Sequence, residues 1–83
     1  MSAPTIAGVP ARAYYDAHMT LPRLWNLTDD LLGRIERAAT DAERARYEAL
    51  FDATHDVIDA KEKRRDERQR RREAVALAAW SAS

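Results

Sequence analysis

The sequence predicts an all-α chain: a short N-terminal helix, then a helical hairpin whose last helix is long, spanning about 41–80, with an extended arm ahead of them. Three observations carry this. All three prolines lie at or before position 22 and only Gly8 and Gly33 are glycines, so the remainder has almost nothing that breaks a helix. β-branched residues are scattered and never alternate, which leaves extended sheet without support. Apolar residues recur at three-and-four spacing through most of the chain, the period of a helix with one buried face.

Residues 1–9 read as an extended arm, because Pro4 and Pro10 interrupt helix, Gly8 loosens the backbone and nothing is periodic. Pro10 is suited to a first helical position, and Ala13, Tyr14, Ala17, His18 and Leu21 follow at helical spacing, predicting a helix over about 10–19. Pro22 ends it. The second helix starts either at Pro22 or at Thr28, where a hydroxyl cap would be followed by Asp29 and Asp30 at the positive end of the dipole. Leu24, Trp25, Leu31, Leu32 and Ile35 form its expected buried stripe, and Gly33 within it costs about 1 kcal/mol relative to alanine unless another backbone comes close.

Thr40-Asp41-Ala42-Glu43 has the form of a capping box, in which the threonine accepts from the amide three residues on and the glutamate reaches back. That predicts a tight reversal and a hairpin. The alternative is one continuous helix from about 28 to 80, since no glycine or proline marks the junction and Leu31, Ile35, Ala38, Ala42, Ala45, Ala49, Ala53, Val57 and Ala60 form an unbroken stripe.

Past Asp41 the pattern changes twice. Residues 10–60 have the apolar spacing of a small helical base. Residues 61–73 contain no large apolar side chain and read as a charged helical spacer, with Asp59–Lys63, Asp66–Arg70 and Glu67–Arg71 as acid-to-base pairs one turn apart. Residues 74–83 form an apolar tip and tail, Ala74 to Trp80 being apolar on every side. A straight helix cannot fold that tip back onto its own base. Val75, Leu77 and Trp80 are therefore expected to meet a partner, tryptophan being prominent among residues that dominate interfaces.

Fourteen basic and fourteen acidic residues cancel, so no global field announces a nucleic-acid binder. The charge is polarised, because 61–73 holds eight basic and four acidic residues. Lys61, Arg64, Arg65, Arg68 and Arg72 share one face and could contact a polyanion, but no aromatic residue is interleaved for base stacking. The absence of cysteine excludes disulfides, thiol catalysis and zinc-thiolate sites. No apolar window approaches the roughly 20 residues of a membrane span, and the first ten residues lack the basic start and apolar core of a secretory leader.

Catalytic signals are weak. Glu48, Asp52, His55, Asp56 and Asp59 lie on adjacent turns, a spacing compatible with a divalent cation but explained equally by an acidic solvated face. His18 has no serine or cysteine nucleophile at a defined spacing, and there is no glycine-rich phosphate loop. No catalytic, cofactor or metal residue is assigned. Tyr14, Tyr15 and Trp25 gather near the junction of the first two helices, either as a small core with Trp25 under the first helix or as an aromatic docking patch.

The expected function is therefore a non-catalytic structural or assembly protein, touching a protein partner or further copies of itself within a larger particle such as a phage virion. The alternative is a small regulator, such as an antitoxin, an inhibitor or a nucleic-acid-binding factor, using the basic helix 61–72. The expected location is the cytoplasm, or a virion for a phage-encoded chain.

Overall fold

The structure, a computed structural model, describes residues 3–82; residues 1 and 2 of the expected arm and 83 of the expected tail lie outside the described residues. Five elements follow one another: β1 (Thr5–Ile6), β2 (Val9–Pro10), α1 (Ala11–His18), α2 (Leu21–Glu36) and α3 (Asp41–Ala82). The chain is all-α with a helical hairpin and a long last helix, as the sequence predicts.

The first difference is at the N-terminus. Residues expected as an extended arm fold into a small antiparallel hairpin, with Ile6 opposite Val9 and Thr5 opposite Pro10. Ala7 and Gly8 both have positive φ, 52° and 81°, the backbone of the two-residue turn whose twist matches the flanking strands. Gly8 adopts this freely, whereas Ala7 bears the steric cost of a Cβ there, about 1–2 kcal/mol. The hairpin is anchored by the Ala11 N–H, which donates to the Pro4 carbonyl at 2.9 Å, and by Ile6, which packs on the core.

Pro10 sits at the N-cap of α1, one residue before the helical position expected for it. The helix buries Ala11 and Tyr15, leaving Ala13, Ala17 and His18 exposed, so its buried side is not centred on the stripe read from the spacing. It stops at Met19, whose extended backbone still lets its N–H donate to the Tyr15 carbonyl. Pro22 does not close α1. It lies in the first turn of α2, where its missing N–H has no helical partner to lose. Thr28, the other expected start, lies inside α2, buried, with its hydroxyl donating to the Trp25 carbonyl at 2.6 Å. The buried stripe of α2 is narrower than expected: Leu24 and Leu31 are buried and Ile35 half-buried, while Trp25 and Leu32 are 46% and 45% exposed.

The chain reverses between α2 and α3, which excludes a continuous helix from 28 to 80. Thr40 Oγ1 accepts from the Glu43 N–H at 3.1 Å, and the Glu43 carboxylate accepts from the Ala39 N–H at 3.2 Å. Two amides at the start of a helix, which have no carbonyl to bond, are thereby satisfied. The unbroken apolar stripe is misleading at this point because its members there are alanines, and a capped reversal lets the larger Leu24 and Leu31 face α3.

Ala53, Thr54, Val57 and Ile58 of α3 meet Leu24, Ala11 and Tyr15 in one small core, bordered by Ile6, Tyr14, Met19, Leu21, Leu27 and Leu50. Thr54 is fully buried and donates its hydroxyl hydrogen to the Leu50 carbonyl at 2.7 Å. Among the described residues no buried side-chain polar atom lacks a partner. The base ends near residue 64. Beyond it α3 continues into solvent, giving the molecule extents of 65 × 24 × 19 Å and a radius of gyration of 17.9 Å, against about 12 Å for a compact domain of this length.

Urea denaturation followed by circular dichroism should separate base from extension. Ile58→Ala, at a fully buried site, is expected to cost about 2–4 kcal/mol, whereas Val75→Ala should change stability by under about 0.5 kcal/mol when the protein is dilute enough to be monomeric. Gly33→Ala should stabilise by up to ~1 kcal/mol, because an added Cβ there meets only the movable Arg37 guanidinium, at 3.2 Å.

Candidate protein-docking surfaces

Four regions hold the residues singled out from the sequence, and the structure separates them. The first is the aromatic cluster, which does not form as a unit. Tyr15 is 4% exposed and belongs to the core, so it offers no surface to a partner. Burial pushes its phenol above the ordinary value, opposed by a hydrogen bond with Thr54. Tyr14 is half-buried, edge-on to Tyr15 and 4.7 Å from the His18 ring. Trp25 does not pack under α1. It projects from α2 on the seam with α3, its ring edge-on to His55 at 6.1 Å, and His55 in turn lies 4.5 Å from Phe51.

Trp25, His55 and Phe51 therefore form a partly exposed aromatic seam that the sequence reading missed. The recoverable signal was there: Phe51 and His55 are one turn apart on α3, and Leu32 lies about two turns from Trp25 on the same side of α2.

The second region is the junction of α1 with the basic stripe. Lys61 Nζ donates to the Asp16 carbonyl at 3.0 Å and lies 3.9 Å from its carboxylate, which Arg64 also engages through a charge-assisted hydrogen bond. A second exposed pair, Arg12–Asp56, ties the start of α1 to α3. The cations at the C-terminal end of α1 also sit favourably against its negative pole. Hydrogen bonding from Arg64, with the charges of Arg64 and Lys61, outweighs partial desolvation and holds the Asp16 carboxyl below its ordinary value of 3.8. Two of the five residues expected to face a polyanion are thus engaged as a clamp within the molecule. No local pattern marks this clamp, because the partners are 45 or more residues apart.

The third region is the rest of the basic stripe. Arg65, Arg68 and Arg72 are exposed and form no ion pair among the described residues; the Nε of Arg68 donates a long hydrogen bond, 3.4 Å, to the Arg64 carbonyl. The pairs Asp59–Lys63, Asp66–Arg70 and Glu67–Arg71 are not closed. Exposed pairs of long side chains gain little over separate hydration, so spacing alone does not fix them. Gln69 Nε2 instead donates a long hydrogen bond, 3.4 Å, to the Glu73 carboxylate.

The fourth region is the distal end of α3. Val75, Leu77 and Trp80 are 69%, 67% and 83% exposed, the largest values among the big apolar side chains. A helix carries them about 15–25 Å past Arg64 at 1.5 Å per residue.

Chemical machinery does not converge anywhere. Among the described residues no three His, Asp or Glu side chains are placed to hold a metal ion: of the acidic face, Asp56 pairs with Arg12 and His55 stacks in the aromatic seam. The most defined hollow, about 430 Å³ between the N-terminal hairpin and α3, is lined by Ala3, Pro4, Pro10, Ala11, Ala49 and Ala53, with Arg12 and Asp52 at its edge. No helix among the described residues is long and apolar enough to cross a membrane. No family model matches the chain, and no curated protein or solved structure is significantly similar to it.

The Asp16 clamp gives a pH prediction. A depressed folded-state value means that its contribution is present above the ordinary value and is lost as pH falls through the folded one. Asp16→Asn should lower the melting temperature at pH 7 and flatten the part of the acid transition below pH 3.8, read by thermal scans from pH 2 to 7.

Proposed function

We propose that this chain is a non-catalytic assembly protein that makes protein–protein contacts within a larger oligomeric particle, with the distal apolar end of α3 as its docking element. One observation carries the reading: Val75, Leu77 and Trp80 stand exposed on a helix that holds them away from the base. Surface area supports it. A compact monomer of 9.4 kDa is expected to expose about 5,000 Å², and this chain exposes 6572 Å². The surplus is larger than the roughly 800 Å² that each partner contributes to an interface of ordinary size.

A component of a symmetric particle, such as a phage virion, suits a shape with a compact base and a stiff arm that touches a second surface. That setting is an analogy from shape and size. The second reading is a small regulator that grips nucleic acid or another polyanion, favoured by the free guanidinium groups of Arg65 and Arg72.

Absolute mass by light scattering on a sizing column, at low and high salt with absorbance at 260 and 280 nm, decides between them. The assembly reading expects an oligomer, free of nucleic acid, that survives high salt and is dispersed by Leu77→Ala with Trp80→Ala. A monomer that carries nucleic acid at low salt and sheds it at high salt overturns that reading in favour of the regulator.

A further inference from the structure

We infer that the distal end of α3 docks onto a second copy of this chain, in an antiparallel two-fold pair, each copy placing Leu77 and Trp80 on the other's Trp25–Phe51–His55 seam. This rests on the reading of the distal end as a protein-docking element and names its receptor.

Helix geometry supplies the first argument. Phe51 and Trp80 are separated by about eight whole turns of an ideal helix, and His55, Glu62, Gln69 and Glu73 fall on the same side between them. Phe51 of the seam and Trp80 of the distal end therefore share one side of α3, about 40 Å apart along its axis, with Leu77 flanking Trp80 on that side's margin. A two-fold axis perpendicular to α3 near residues 65 and 66 superposes each patch on the other patch of the second copy. Both apolar surfaces are then covered by one contact repeated twice, as a closed isologous pair requires.

The seam is shaped for a helix. It lies between α2 and α3, with exposed Trp25 and Leu32 on one bank and half-buried Phe51 and His55 on the other. Trp25 lies perpendicular to the His55 ring and is nearly half exposed, so the indole keeps surface for a ring from outside. Covering the stretch from the seam to the distal end on each copy also accounts for the surplus surface of an extended chain exposing 6572 Å².

The polar middle selects the direction. In the antiparallel register that sets Trp80 beside the second copy's Phe51, Glu62 meets Gln69 and Arg65 meets Asp66, twice each by symmetry. A parallel pair in register would set Glu62 on Glu62, Arg65 on Arg65 and Glu73 on Glu73, like charge against like, which disfavours it. The alternation of charge along 61–73 thus admits one orientation of the pair and penalises the other.

The chain has no cysteine, so single nitroxide labels can be placed at Lys63→Cys and Arg46→Cys, both exposed and away from the contact. Pulsed dipolar spectroscopy on the full chain should find an inter-copy distance of about 20–30 Å for labels at 63 and about 60 Å for labels at 46, from 1.5 Å per residue and an interaxial spacing of 8–10 Å. Trp25→Ala and Trp80→Ala should each weaken self-association by about tenfold or more, with the helical signal of the base unchanged. Short distances at both positions would indicate a parallel pair and overturn the inference. An oligomer dispersed by Trp80→Ala but indifferent to Trp25→Ala would overturn the seam as receptor while leaving the docking role of the distal end intact. A chain that stays monomeric at 100-fold dilution steps from its highest soluble concentration would overturn self-pairing outright.

Discussion

The structure depends on a mismatch of lengths. A helix of 42 residues has only the 8 residues of α1 and the 16 of α2 to pack against, so its far half cannot be covered by its own chain. The small core follows from this. Three helices meet over about four turns of α3, and within that span the interior is filled by Leu24, Tyr15, Val57 and Ile58 with alanines between them. Everything beyond Arg64 must be stable as a helix without tertiary help, which its arginine, glutamate and alanine content favours and its lack of glycine and proline permits. The same mismatch leaves the large apolar residues of the far end exposed and away from the core, so the proposed function and the fold have one origin.

Much of this was legible in the sequence because the signals are local. The capping box at Thr40 and Glu43 specifies the reversal with side chains that act within four residues, and it outweighed a stripe of alanines that would have served a continuous helix equally well. The loss of large apolar residues after Lys61 marked the end of the base, and their return at Val75 marked the distal end. What was illegible depends on contacts distant in sequence or on the phase of short elements. Eight residues of α1 allow more than one buried face, and the alanine spacing pointed away from Tyr15, which the packing selected. The type of turn at Ala7 was hidden because an alanine with positive φ carries no compositional mark. Of the two places open to Trp25, beneath α1 or on the surface, the narrow buried stripe of α2 selects a partly exposed one on the seam with α3.

The charged segment shows why spacing is a poor guide to ion pairing. Three textually ideal pairs along α3 remain open, while Lys61 and Arg64 reach across to Asp16. The difference is physical. A carboxylate at the end of α1 is already fixed by the fold, lies beside a carbonyl that Lys61 also needs, and presents two cations with one target. The open pairs of the extension offer neither side chain a fixed position, so the entropy lost in joining them offsets the small electrostatic gain, although Asp30 and Arg34 on α2 do close at the same spacing.

The place of that clamp gives it an importance unrelated to its strength. It lies where the supported part of α3 ends, at the fulcrum of an arm some 25–30 Å long. Reorienting the arm by about 10° about this point would carry Trp80 through roughly 4–5 Å, about the spacing of one helical turn, so an angular error at Asp16 becomes a whole misplaced side chain at the far end. A surface ion pair of modest strength can in this way set the aim of a surface two dozen ångströms away.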